Sequence, residues 1–510
     1  MAAFKLSLLI LLLLFVVVPS SSVDVSVQKD PELKQCRHQC THQTGFDEAQ
    51  KSQCEQKCKE YIRDKREQER RERGGRDEKE DESHYNRKER EETRSGEGER
   101  VTERSPYVFE EEHFETSIKT EEGRVHILRK FTEKSKLLKG IENYRVGFLE
   151  ANPSAFIAPV HLDADCVFFV ATGKPTVTLL REDKRETFNL VQGDILTIPA
   201  GTPVYIVNRD ENEKLFIVKL INPVSLPGRF EPFYGAGGET PETFYRGFSW
   251  EVLSAAFKRE RDELERLFRQ QKRGSIVKAS RQQVQELSRH AEGGGGTVWP
   301  FGQETRSSGP FNLFRKHATQ SNRFGRLYEA NPSDHKQLQD LDVMITFANI
   351  TQGAMAAPFY NSRATKIAFV LDGEGYLEMA CPHISSEQGR RGSPWQGEKE
   401  NRPEIQRVTG RLRRGVVFVV PAGHPVTTIA SGNNNLQIVC FVVNAEGNVR
   451  YPLAGKRNIV TEMENVAKEL AFSVPAREVD RVFKSQNEEF FFPGPRSTQQ
   501  EEGGQRAYAS

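Results

Sequence analysis

The chain has 510 residues, of which 36% are hydrophobic and 28% charged, with a formal net charge of +1. At roughly 150 residues per domain, this length predicts about two to four domains. So even a charge balance supplies no global field for nucleic acid or an anionic membrane, and the composition excludes a collagen, a multi-span membrane protein and a wholly disordered chain.

The chain opens with one cation, Lys5, then an apolar run from Leu8 to Val18, then Pro19-Ser20-Ser21-Ser22. A short positive region, an apolar stretch and small residues have the form of a secretory signal. The run falls short of the roughly 20 apolar residues that span a bilayer. Residues 1–22 are therefore expected to be a signal peptide cleaved near Ser22. The chain would then enter the oxidising secretory route as a soluble protein with no membrane partner.

Four of the seven cysteines lie early, as Cys36-x3-Cys40 and Cys54-x3-Cys58. A spacing of four places each pair on one helix face. Gly45, between the pairs, allows a turn. In an antiparallel helical hairpin the nested pairing, Cys36 with Cys58 and Cys40 with Cys54, is the one of three connectivities that fits. A four-cysteine zinc site is the alternative. Its usual spacing is tighter, and the secretory compartment favours disulfides. The hairpin is expected over residues 23–60. Cys166, Cys381 and Cys440 are scattered and odd in number, so at least one remains a thiol or coordinates a metal.

Residues 61–104 are almost all charged, as in Arg63-Asp64-Lys65-Arg66-Glu67. Such a segment cannot bury a core and is expected to be a disordered, solvated linker. Its interleaved acids argue against a nucleic-acid tail.

At Pro106 the texture changes to alternating apolar positions separated by Gly, Pro and Asn turns. Examples are the runs from Tyr144 to Pro153, Cys166 to Leu180 and Phe188 to Gly201. Short strands at regular spacing predict an all-β sandwich or barrel. Helical periodicity follows at residues 250–271, carried by Val252, Leu253, Ala256, Phe257, Leu264, Leu267 and Phe268. A second helix is expected around residues 280–287, opened by a capping box of Ser280 and Gln283. A glycine run at residues 293–296 marks a loop.

The pattern then repeats. The run from Val343 to Ile350 and Ala357-Pro358 answers Val146 to Ala151 and Ala158-Pro159. Ile367 to Met379 answers Cys166 to Leu180. Gly415-x5-Pro421-x-Gly423 answers Gly193-x5-Pro199-x-Gly201. The second copy carries a polar insert at residues 385–402. It too ends in helical periodicity, over residues 458–482. The two units are expected over residues 105–292 and 293–495, each a barrel plus a helical arm, with a flexible tail at 496–510.

Both Gly-x5-Pro-x-Gly segments resemble the second sequence motif of the cupin superfamily. Ala357-Pro-Phe-Tyr-Asn-Ser-Arg-Ala-Thr-Lys366, Gly373-Glu-Gly-Tyr376, Pro421-Ala-Gly-His-Pro425 and Asn487-Glu-Glu-Phe490 are similar to vicilin-type (7S) seed storage globulins. The early Cys-x3-Cys pairs resemble the N-terminal region of the longer vicilins. The resemblance covers nearly the whole chain. It implies a mainly β bicupin of two jelly-roll β-barrels, each followed by a helical arm. It also implies homotrimers closed through those arms, transport to protein storage vacuoles, and a nutrient-reservoir role.

Enzymatic cupins usually hold a metal with His-x-His, a Glu and a further His. In the first copy His161 stands near the start of that pattern, Cys166 takes the Glu place and Val204 takes the last His place, with Asn208 beyond it. The second copy offers Asn361, Lys366 and Val426 in the comparable region. An oxalate-oxidase-like or dioxygenase reading therefore loses its basis, and no enzyme activity is expected.

A different constellation exists in the second copy. Cys381-Pro-His383 puts a thiol and an imidazole on one face of a strand, and His424 follows the Pro421-Ala-Gly423 turn at the mouth of the same barrel. Cys plus two His suits copper, and secondarily zinc. Some vicilins hold copper in such a pocket. Cys381, His383 and His424 are thus the candidate ligands of one copper ion. The alternative is a buried thiol with two nearby histidines. Asn349-Ile-Thr351 is a candidate glycosylation acceptor if exposed.

A storage reservoir is one function that fits, with the linker, insert and tail as cleavable loops. A bicupin binding metal or a small organic ligand is the other, with a secondary redox or defence role. The defence reading rests on the basic hairpin of Arg37, Lys51, Lys57 and Lys59, which resembles antimicrobial hairpins released from some vicilins.

Overall fold

A computed structural model of the chain describes residues 36, 40, 49, 51–61, 63, 105–182, 184–289, 291–293, 309–382 and 405–495. The expected signal peptide, most of the charged linker, His383, the 385–402 insert and the 496–510 tail lie outside the described residues. The chain divides into two compact units, Met1–Glu89 and Arg90–Ser510.

In the first unit Cys36 and Cys40 have helical backbone and residues 51–61 form a helix. Disulfides join Cys36 to Cys58 and Cys40 to Cys54, with Cα atoms 5.8 and 5.7 Å apart. The nested bridges make the two helical segments antiparallel and use all four sulfurs, leaving no thiolate for zinc. So small a unit has little apolar surface to bury, and cross-links supply stability that a core cannot.

The second unit contains four seven-stranded sheets, two for each half of the repeat. In the first half one sheet has Ala164–Thr172 and Leu215–Pro223 at its centre, flanked by Asp194–Ile198 and Arg145–Ala151. Its partner sheet centres on Ala155–Leu162, Val204–Asn208 and Pro175–Leu180. The second half repeats this with Thr365–Asp372, Leu436–Val443 and Val343–Ile350 in one sheet, and Glu374–Cys381 and Val426–Ala430 in the other. Neighbouring strands are antiparallel except Glu292–Gly293 on Arg185–Asn189. Alternation along each strand sends one set of side chains inward, so each pair of sheets encloses its own core.

The halves trade edge strands. Val108–Phe109, at the start of the first half, pairs with Val417 and Phe418 of the second. Phe311–Asn312, at the start of the second, pairs with Asp194 and Ile195 of the first. Each traded strand leads into a short 3-10 turn, Glu111–His113 in one case and Leu313–Arg315 in the other. Arg413 donates to Glu110 at 2.6 Å across the same junction. Between the halves lies a layer of phenylalanines. Phe369 meets Phe148 and Phe216 at ring distances of 5.8 and 5.9 Å, and Phe347 meets Phe169 and Phe314 at 6.2 and 4.8 Å. Burying each such ring contributes about 1.5–3 kcal/mol, and the edge and offset geometries add roughly 0.5–1.5 kcal/mol per pair.

The helical arms differ from their expected extents. Residues 250–271 form two helices, Trp250–Phe257 and Arg261–Leu267. Lys258 turns left-handed at φ 53° and ends the first. That position usually falls to Gly, so its lysine gives no sequence signal. Residues 458–482 also break, into Asn465–Phe472 and Ala476–Phe483. Ser473 is left-handed, and Pro475 has no amide hydrogen with which to continue a helix. Asn458 is not helical. It donates to the carbonyls of Gly455 and Phe483, both at 2.7 Å, and so ties the arm's two ends. Buried Lys468 bonds Asp480 at 2.8 Å and clamps the two helices together. The helix Arg281–Ser288 carries the reciprocal Ser280–Gln283 capping box.

Gly193 and Gly415 occupy matching turns with φ of +86° and +87°. An added Cβ at Gly193 would collide with the Phe314 ring, whereas at Gly415 it would meet nothing within 4 Å. Gly193→Ala and Gly415→Ala should each lose about 1–2 kcal/mol to the left-handed backbone. Gly193→Ala should lose a further 1–3 kcal/mol or so to overpacking on Phe314. Denaturant titration checks this, and equal losses would contradict the seating of Phe314 against that turn.

Candidate functional site

The first barrel contains a cavity of about 90 Å³. Apart from Ser117, Cys166, Thr202, Lys219 and Tyr234 its lining is apolar. Two of the positions where a cupin metal ligand would stand, Cys166 and Val204, face this cavity. Cys166 is buried, and desolvation pushes its thiol up to about 12 against the opposing pull of Lys219. So protonated a thiol is a poor metal ligand. His161 is not part of the lining. It stacks on Phe233 with ring centroids 5.1 Å apart. Asn208 is fully buried in a turn, donating to the carbonyls of Asn152 at 3.2 Å and Glu213 at 2.8 Å. The cupin ligand positions of the first copy are thus dispersed.

Lys219 is the cavity's one cation. It sits on Leu215–Pro223, opposite Gly147 on one neighbouring strand and Phe168 on the other. A Cβ at Gly147 would lie 3.3 Å from the Lys219 Cε, so the glycine makes room for the lysine stem. Burial lowers the Lys219 pKa, outweighing the opposing effect of Cys166. Among the described residues no carboxylate pairs with it.

The second barrel is different. Its cupin-pattern positions also carry structural contacts. Asn361 accepts from Asn448 Nδ2 at 3.4 Å, and the Lys366 ammonium lies 5.2 Å from the Phe359 ring centroid. Val426 is buried in the core and pairs with both Met379 and Phe359.

Cys381 ends the strand Glu374–Cys381, and His424 sits in the turn before Val426–Ala430. The amide of Ala380 donates to the Pro425 carbonyl at 2.9 Å and sets the two segments side by side. Cys381 and His424 are both buried and lie close enough for the thiol to act on the imidazole. Burial pulls the His424 pKa down, but the Cys381 thiol and the Ala422 carbonyl outweigh it and leave a net rise. His424 Nδ1 lies 3.0 Å from the Ala422 oxygen. A carbonyl can only accept, so Nδ1 carries the hydrogen there and Nε2 bears the lone pair of the neutral ring.

Tyr107 completes the group. It precedes the traded strand Val108–Phe109, and its hydroxyl lies 3.3 Å from Cys381 Sγ. Its ring is 6.1 Å from that of His424. Sequence reasoning missed Tyr107 because it belongs to the other half of the repeat, 274 residues from Cys381. A thiol, an imidazole and a phenol therefore converge, a soft-to-borderline donor set that fits copper or zinc. His383, the third candidate ligand, lies outside the described residues. Asn349 lies half-buried on Val343–Ile350, with its Oδ1 enclosed.

Comparison with known proteins agrees with this architecture. The Cupin family model matches residues 311–478. A vicilin of Corylus avellana is 58% identical, covering 94% of this chain and 98% of its own. A vicilin of Juglans regia is 56% identical, covering 98% of each chain. The crystal structure of the hazelnut vicilin superposes with a TM-score of 0.70 at 62% identity, over 76% of this chain and all of that one. A vicilin of Solanum melongena superposes with a TM-score of 0.71 at 38% identity, over 77% of this chain and 98% of that one; its structure revealed different anionic ligands in structurally similar pockets. The duplicated barrels and the near-full-length likeness to these proteins place the chain in a family of storage proteins that are not enzymes. This chain belongs to the vicilin-type (7S) seed storage globulins of the cupin superfamily.

Proposed function

We propose that the chain serves as a homotrimeric nutrient reservoir, delivered through the secretory pathway to protein storage vacuoles, and that its C-terminal barrel holds one copper ion. The observation that carries the assembly is the apolar outer surface of the helical arms. In the first arm Leu253, Leu264 and Phe268 form a small core with Tyr245 and Trp250. Val252, Phe257 and Leu267 remain exposed on the same helices. In the second arm Val466 and Leu470, one turn apart, are 64% and 79% exposed, and Val482 on the following helix is 62% exposed. Apolar side chains so exposed on both arms suit head-to-tail contact with neighbouring copies, and three such contacts close a ring.

Cys381, His383 and His424 would hold the copper, with the Tyr107 hydroxyl beside the sulfur. Bound in such a thiolate–imidazole set, copper would supply a one-electron couple. The chain's own part is positional. The Ala422 carbonyl orients the His424 ring, the Ala380–Pro425 bond sets the spacing of the two segments, and Tyr107 covers the site.

The first barrel supports a second, compatible reading as a pocket for a small organic anion. Lys219 in an otherwise apolar cavity favours a ligand with an apolar body and one negative group. The anionic ligands of the Solanum melongena vicilin support the same idea.

Leu470→Asp combined with Val466→Glu should convert a trimer to monomers by light scattering while the circular dichroism stays native. A trimer unchanged by both substitutions would overturn the arm-mediated assembly. Elemental analysis of purified protein should give about one copper per chain, and Cys381→Ser should remove most of it. Equal copper in both proteins would contradict the site.

A further inference from the structure

Lys219 stands apart from the other lysines of the barrels. It lines a largely apolar cavity, lies across from Gly147, and has no carboxylate partner among the described residues. Lys468, which is fully buried, is by contrast paired with Asp480. An unpaired ammonium among apolar walls has lost much of its hydration without a compensating charge. The proton is then held less tightly than on an exposed lysine, so a larger share of the side chain is neutral amine, which is a nucleophile. Accordingly the Lys219 pKa is lowered, chiefly by desolvation. The neighbouring thiol does not compete, because burial holds Cys166 protonated.

The cavity sets the size of a partner. Its volume of about 90 Å³ is smaller than the ~150 Å³ engineered cavity that admits benzene. A short unbranched chain of about three to five carbons is the fitting shape. The walls near Lys219, among them Ile127, Phe168 and Ile217, offer it apolar contact, while Thr202 and Tyr234 offer hydroxyls elsewhere in the lining.

Resting on the reading of this cavity as a small-ligand pocket, we propose that Lys219 captures short aliphatic aldehydes as reversible imines. The amine nitrogen attacks the carbonyl carbon and gives a carbinolamine. That intermediate loses the carbonyl oxygen together with the two amine hydrogens as water, leaving a C=N bond between ligand and lysine. No electrons are transferred, and hydrolysis returns aldehyde and amine. A storage protein with such a pocket would scavenge reactive carbonyls, a role separate from its use as a reservoir.

The test uses the full chain, butanal below one equivalent, and sodium cyanoborohydride to fix the imine, at about pH 7, where an ordinary lysine is almost wholly protonated. Peptide mass spectrometry then compares Lys219 with exposed lysines such as Lys119 and Lys336. Lys219 should be alkylated several-fold faster than either, since desolvation leaves it a larger share of free amine. A bulky aromatic aldehyde should reverse the preference, labelling exposed lysines and sparing Lys219. Lys219 alkylated no faster than Lys119 would overturn the proposal, as would equal labelling by both aldehydes. Butanoate is added in a parallel melting experiment. If it raises the melting temperature while Lys219 stays unlabelled, the pocket survives and imine capture falls; if it has no effect and Lys219 stays unlabelled, both fall.

Discussion

The exchange of edge strands between the two halves is the constraint on which the rest of the structure depends. Val108–Phe109 completes a sheet of the second barrel and Phe311–Asn312 completes a sheet of the first. An edge strand left open exposes a row of unpaired amides and carbonyls and invites association with other chains. Here each half closes an edge of the other, and the phenylalanine layer of Phe148, Phe169, Phe216, Phe347 and Phe369 fills the space between them. Neither half is complete alone.

The same exchange brings Tyr107 to the second barrel. Its carbonyl accepts from the Val419 amide at 2.9 Å, and its hydroxyl reaches Cys381. The polar cluster in the C-terminal barrel therefore contains a residue supplied by the N-terminal half. The first barrel has diverged in the opposite direction. Cys166 and Val204 stand where a cupin metal ligand would, and the cavity between them is lined mainly by aliphatic side chains around a single lysine. One duplicated scaffold thus holds two interiors of different chemistry, which a storage protein tolerates because its bulk function asks only for a stable fold.

Much of this was legible in the sequence. Gly193, Gly201, Gly415 and Gly423 mark turns whose positive φ values match between copies, and a paired Gly-x5-Pro-x-Gly reports that geometry directly. Cys381 and His424 were legible because the motif alignment carries them to one barrel mouth. Tyr107 and Lys219 were not. Tyr107 acts across 274 residues, where no local pattern can point. Lys219 lies on a strand whose alternation alone would have placed an apolar residue inward, and its role emerges only from the cavity. The helical arms were found, but their breaks at Lys258 and Ser473 were not, since non-glycine residues in the left-handed region follow tertiary context rather than propensity.

Hydrogen exchange resolved to individual amides tests the central claim most directly. If the traded strands are integral to both barrels, the amides of Phe109 and Phe311 and those of the central strand Leu436–Val443 should exchange together, only through global unfolding. Exchange of Val108–Phe109 or Phe311–Asn312 ahead of that strand, by local fraying while the barrels stay intact, would contradict it.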